Sequence, residues 1–218
     1  MRKLILWDLD GTLIDTLEDL GTAVNHALAL RGWPLHEVPE YRRMVGHGVR
    51  NLVLQALPPE HQADDATVDA ALNDFKEYYS AHIDVHTRPY PGMQQLLTDL
   101  DKAGVKMAVT SNKFQEGTEH LIKEFFPEID FVAILGDRPG RPLKPSPEIV
   151  EEVLAAAGID RADALLVGDS PTDMRTAANG GIDALAVAWG YRSAEDLAGH
   201  RIVHTVDELR LSLFTSTP

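Results

Sequence analysis

The chain has 218 residues, 44% of them hydrophobic and 25% charged, an ordinary globular composition with room for one domain plus a sizeable insertion or for two small domains. Thirty-four acidic residues against twenty Lys and Arg leave a formal charge of -14, a field that disfavours nucleic-acid backbones and anionic membrane surfaces but not a small anion met by a local cation. The absence of cysteine excludes disulfides, iron–sulfur clusters and thiolate zinc sites.

In chain order, the apolar run Leu4–Trp7 is too short for a signal peptide or a spanning helix and has the length of a buried strand, so a soluble, cytoplasmic protein is expected. Further strand-length apolar runs lie at 105–109, 131–135, 164–167 and 184–188. Helical patterns bounded by Pro, Gly, Ser or Asn occupy 92–103, 115–126, 147–157 and 172–180. Such alternation predicts an α/β fold with a doubly wound parallel sheet.

The alternation stops between residues 16 and 83, where helical spacing alone remains. The expected organisation is therefore a core of residues 1–15 and 84–218 with a small all-helical domain, 16–83, inserted after the first strand. Its first helix follows the stripe Leu17, Leu20, Val24, Ala27, Leu28, with Thr16 and Asp19 spaced as a capping box and Gly32 as the stop. A second piece is expected over 49–57, ending at Pro58-Pro59, and a third over 66–81. The prolines of residues 87–92 suit a stiff connector and not a strand or helix interior, and the last four residues are expected to fray.

In an open parallel sheet, ligands bind beyond the carboxyl ends of the strands, so polar residues that follow apolar runs are the candidates for chemistry. Four places qualify. In Asp8-Leu9-Asp10-Gly11-Thr12, alternation sends Asp8 and Asp10 to one side and Gly11 permits a sharp turn. Thr110-Ser111-Asn112 follows the second run, Lys144-Pro145 precedes a helix, and Gly168-Asp169-Ser170-Pro171-Thr172-Asp173 follows the fourth.

These four motifs, in this order and over essentially the whole chain, resemble those of the haloacid dehalogenase superfamily of phosphohydrolases. The helical insertion sits where one subgroup carries its C1-type cap, and within that subgroup the chain is most similar to the phosphoglycolate phosphatases. The resemblance implies hydrolysis of a small phosphorylated metabolite, 2-phosphoglycolate first among them, through an aspartyl-phosphate on Asp8. Asp10 would protonate the leaving oxygen and then activate water, roles suited to a carboxyl in a crowded acidic site. Magnesium would be held by Asp8, the backbone carbonyl of Asp10, and Asp169, with Asp173 orienting metal-bound water. Ser111 and Lys144 would bind and neutralise the phosphoryl group. Asn112 would assist beside them, and Thr12 is assigned to substrate binding.

Other readings compete. A β-phosphoglucomutase-like transferase, a pyrophosphatase or a nucleotide or sugar phosphatase would carry the same motifs, and a non-catalytic phospholigand-binding regulator could keep the fold. Dehalogenase and phosphonatase relatives fit less well, since the former would not need Asp10 and the latter uses a cap lysine and lacks the second Asp. An EF-hand is excluded because the sixth residue from Asp8 is Leu13 and not Gly. Asp169 and Asp173 could simply cap a helix, and His82 with His86 has zinc-like i,i+4 spacing but no adjacent Glu. The loop Met44-Val45-Gly46-His47-Gly48-Val49-Arg50 interrupts helical spacing, and His47 and Arg50 are its candidates for contacting the leaving group. Oligomeric state is not legible.

Overall fold

The computed structural model describes residues 2–215; Ser216 to Pro218, part of the tail expected to fray, lie outside them. A six-stranded parallel sheet runs in the order β5-β4-β1-β6-β7-β8, with β1 at Leu4–Trp7, β4 at Lys106–Phe114, β5 at Phe131–Asp137, β6 at Ala164–Gly168, β7 at Asp183–Val187 and β8 at Ile202–Val203. The strand order reverses beside β1, the first strand in sequence, which is the place where a doubly wound sheet leaves a crevice. Helices α4 (Met93–Lys102), α5 (Gln115–Phe125), α6 (Glu148–Ala157), α7 (Pro171–Asn179) and α8 (Val206–Thr215) complete the core.

Strand β1 is central because both its faces are apolar. Ile5 and Trp7 join the larger hydrophobic cluster, Leu4 and Leu6 the cluster on the opposite face, and none is more than 1% exposed. Burial of each such side chain contributes about 1.5–3 kcal/mol, so the two packed faces fix both the strand and its register.

Residues 17–81 are all-helical apart from their connections: α1 (Leu17–Ala29), a 3₁₀ turn at Val38–Arg43, α2 (Val49–Ala56), a second turn at Pro59–His61 and α3 (Asp65–Ala81). Leu20, Val24 and Leu28 of α1 share the larger cluster with Val68, Ala71, Phe75 and Tyr79 of α3, so the insertion packs continuously with one face of the sheet.

Two expectations are corrected at the junction. The connector of 87–92 contains a strand after all, β3 (Arg88–Pro89), which pairs antiparallel with β2 (Ile14–Asp15). A two-residue ribbon is all edge, where proline is tolerated. The capping box at Thr16 does not form, because both side chains are engaged elsewhere. Thr16 Oγ1 donates to Asp10 Oδ1 at 2.7 Å, and Asp19 accepts from the backbone of His86 and Thr87 and from the Thr87 hydroxyl at 2.7–3.0 Å. Both residues stitch the entry of the insertion to its surroundings instead. Strand β8 and helix α8 had no counterpart in the sequence reading.

Candidate active site

Register explains why distant residues meet. Trp7 lies level with Val109 of β4 and Val167 of β6, so Asp8, Ser111 and Asp169, one or two residues further on, emerge together at the carboxyl edge. They line one cavity with Asp10, Lys113, Lys144, Asp173, Tyr191 and Arg192, closed on the other side by Leu20, Val45, Gly46, Gly48, Val49 and Leu52 of the insertion.

Lys144 is the hub. Its ammonium donates to Asp8 Oδ1 at 2.8 Å, to the Thr110 carbonyl at 2.8 Å and to Asp173 Oδ1 at 2.6 Å, which uses all three N–H groups. Burial alone would lower its pKa, but Asp173 and Asp8 hold it above the ordinary lysine value, so the group stays charged. Asp173 also keeps the capping role: its Oδ2 accepts from the Ser170 backbone and hydroxyl at 3.1 and 2.6 Å in a capping box that opens α7. One carboxylate oxygen thus serves the helix and the other the lysine.

Carboxylate oxygens of Asp8, Asp169 and Asp173 lie within 4.8 Å of one another, all buried, a cluster that could hold a metal ion. Burial, then repulsion from Asp173, pushes Asp8 well above the usual carboxylate range, and the same causes push Asp169 up to about 7. Backbone packs tightly around this cluster. Gly11, at φ +89°, and Gly190 both pass Asp169 so closely that an added Cβ would lie 2.5 and 2.3 Å from its Oδ2.

The haloacid dehalogenase-like hydrolase family matches residues 5–187. The chain belongs to that family. A phosphoglycolate phosphatase of Mesorhizobium japonicum is 35% identical over 219 residues, 97% of this chain and 95% of that protein. Phosphoglycolate phosphatase 1 of Pseudomonas aeruginosa is 35% identical over 96% of this chain and 78% of its own length. The crystal structure of a protein from Lactobacillus delbrueckii subsp. bulgaricus superposes with a TM-score of 0.92 at 32% identity, covering 99% of this chain and 100% of that one. This haloacid dehalogenase-like hydrolase is therefore an enzyme of the phosphatase type, with the α/β parallel-sheet fold of its family.

Within the hydrolase, Asp8, Asp10, Ser111, Lys144, Asp169 and Asp173 all line the cavity. The Asp10 carboxylate stands apart from the three-acid cluster, held by Thr16 and by Lys113 Nζ at 3.1 and 3.3 Å. Thr12, fully buried, points its hydroxyl at Asp8 Oδ2, 3.5 Å away, and does not line the cavity. Asn112 reaches the cavity, but its amide accepts from Lys144 N at 2.8 Å and donates to the Lys144 and Gly46 carbonyls at 3.1 and 3.0 Å. Its visible work is to hold the lysine loop and the insertion loop together.

The insertion loop faces the cavity with backbone and apolar groups, not with the side chains expected of it. Arg50 is turned onto α3, with Nη2 2.6 Å from Asp65 and Nε 3.0 Å from Asp69. Two acidic residues on the adjoining helix face outbid an uncharged loop for the guanidinium. His47 is exposed and does not line the cavity; partial burial and then the nearby Arg192 and Arg175 lower its pKa. The histidine pair separates too, with His82 Nδ1 on the Tyr78 carbonyl at 2.8 Å and His86 Nδ1 3.6 Å from Glu18.

Three contributors escaped the sequence reading. Lys113 follows Ser111-Asn112 directly and pairs with Asp10. Tyr191 donates its backbone N–H to Asp169 at 2.6 Å while its hydroxyl meets Thr16 and Asp15. Arg192 donates to the carbonyls of Arg42, Arg43 and Val45, tying the loop after β7 to the insertion. The carboxyl-end rule applied to the run at 184–188 was the signal that could have found the last two.

Proposed function

We propose that the chain is a magnesium-dependent phosphomonoester hydrolase acting through an aspartyl-phosphate on Asp8, with a small phosphorylated metabolite, 2-phosphoglycolate foremost, as substrate. The observation that carries the reading is the placement of Asp8 in one buried cavity with a fully engaged Lys144 and two further carboxylates. Relatives named phosphoglycolate phosphatase along nearly the full chain support the choice of substrate. Residues 16–83 act as the cap over a core of 1–15 and 84–218.

The donor set fits a hard divalent cation. Three clustered carboxylates offer oxygen ligands, and burial, then repulsion from Asp173, raises the pKa values of Asp8 and Asp169, a crowding of acids that a cation would relieve. Asp8 and Asp169 would hold magnesium together with the Asp10 carbonyl, with Asp173 behind them; its contribution when bound is to offset charge on the phosphoryl oxygens.

A carboxylate oxygen of Asp8 attacks phosphorus, and the bond from phosphorus to the alcohol oxygen breaks as Asp10 donates a proton to that oxygen. Water then attacks the same phosphorus, giving its proton back to Asp10, and the Asp8–phosphorus bond breaks to release phosphate. Lys144 holds Asp8 in place and Ser111 donates to a phosphoryl oxygen. The apolar cap wall keeps bulk water from the intermediate.

With magnesium present, a phosphoester panel should return stoichiometric phosphate and rank 2-phosphoglycolate first by kcat/KM. Another metabolite at the head of that ranking moves the substrate assignment, and transfer without phosphate release replaces the hydrolase by a mutase.

A further inference from the structure

We propose that Lys113 is the specificity-determining cation of this site and takes an anionic group on the alcohol side of the phosphoester. The proposal rests on the phosphatase reading and narrows its substrates to those with an acidic leaving group. Among the described residues, three cations line the cavity: Lys113, Lys144 and Arg192. The Lys144 N–H groups are all engaged on Asp8, Asp173 and Thr110, and Arg192 is turned onto cap carbonyls.

Lys113 differs. Its side chain is 1% exposed, and its ammonium contacts Asp10 at 3.1 Å and the Tyr79 hydroxyl at 2.8 Å, 4.8 Å from the Tyr79 ring centroid. Three acceptor atoms surround the ammonium, Asp10 Oδ1 and Oδ2 at 3.1 and 3.3 Å and the Tyr79 hydroxyl at 2.8 Å, but the two from Asp10 belong to one carboxylate, whose longer contact a ligand anion can replace. The surrounding cap wall is Leu20, Val45, Val49 and Leu52, which offers a neutral polyol no side-chain hydrogen bonds but makes a single buried ammonium a strong anchor for a carboxylate. Asp10 shares that ammonium, so a substrate anion bound there is held beside the carboxylate nearest the departing oxygen. Tyr79 comes from α3, which makes the anchor a joint product of cap and core.

The test compares matched phosphoesters: 2-phosphoglycolate with 2-hydroxyethyl phosphate, and 3-phosphoglycerate with glycerol 3-phosphate. Wild-type protein should favour the acidic member of each pair, and Lys113→Met should cut that kcat/KM ratio by about 10- to 100-fold. Lys113→Arg should recover part of it. Tyr79→Phe keeps the ring and removes only the hydroxyl, so it should narrow the ratio by a few-fold even if Lys113→Met does not fold. An absent wild-type preference, or a ratio unmoved in the folded variants, overturns the role of Lys113. Hydrolysis by wild-type protein of p-nitrophenyl phosphate, a substrate whose leaving group carries no carboxylate, reports on the phosphatase reading alone. Calorimetric binding of the first pair to Asp8→Asn protein repeats the comparison without turnover; equal affinities there overturn the proposal as well.

Discussion

On the core wall of the cavity each acidic group is held by a partner that the parallel sheet brings alongside, as Lys144 holds Asp8 and Asp173 and Tyr191 holds Asp169. The cap wall is built from apolar side chains and main-chain carbonyls, with Tyr79 its hydroxyl on Lys113 and the Gly46 carbonyl its hold on Asn112. The difference separates two tasks. In the proposed mechanism bond making, which needs charges fixed to within fractions of an ångström, falls on the strand ends, and selection and water exclusion fall on the apolar wall opposite.

If that division is right, the largest losses come from the core wall. Asp8→Asn should lower kcat for p-nitrophenyl phosphate by roughly 10⁴-fold or more, since it removes the nucleophile and not merely a charge. Retained activity within ten-fold of wild type would move the nucleophile to another residue. Lys144→Met should cost about 3–5 kcal/mol of folding stability in metal-free protein, because Asp8 and Asp173 would lose the partner of a buried ion pair. Urea unfolding measures it, and an unchanged midpoint would mean the two acids are neutralised without the lysine.

The same division accounts for what could be read from the sequence. Strand ends are local: an apolar run followed by a polar motif locates Asp8, Ser111 and Asp169, because parallel register carries them to one edge whatever the loops do. Lys113 lies one residue beyond one of those motifs, and because β4 continues through Phe114 the end of its apolar run does not mark the end of the strand. Tyr191 and Arg192 follow β7 by the same logic. The cap was legible as helices but not as contacts. Which acids would claim Arg50 depends on α3 packing beside α2, and no spacing within the loop encodes that. Thr16 and Asp19 show the reverse failure, a correct local capping pattern overridden by tertiary partners.

A smaller effect tests the metal fit. Asp169 is pushed up to about 7 from an ordinary value of 3.8, and Asp8 is raised too, so the folded protein binds protons there more tightly than the unfolded chain. Their contribution to metal-free stability is therefore present below about pH 4 and is lost as pH rises through about 7. A cation that binds the ionised carboxylates must displace those protons, so its stabilisation grows across the same window. The rise in Tm on adding magnesium should be larger at pH 8 than at pH 5.5 and vanish with a chelator. A pH-independent rise would place the ion elsewhere.

The smallest expected effect falls on Arg50, one of the two loop residues expected to contact the leaving group. Arg50→Ala should leave kcat and KM for 2-phosphoglycolate within two-fold of wild type, because its guanidinium lies on Asp65 and Asp69 and not on the cavity. The same substitution discriminates between two accounts of the cap. If anion recognition were a property of the loop at 44–50, losing its arginine would raise KM for acidic substrates and spare their neutral partners. If recognition belongs to Lys113, which the core supplies and α3 merely steadies, the acid-to-neutral ratio stays at its wild-type value in Arg50→Ala and falls in Tyr79→Phe. Measured side by side, the two variants decide whether the cap selects substrate with its own charge or by holding a charge of the core in place.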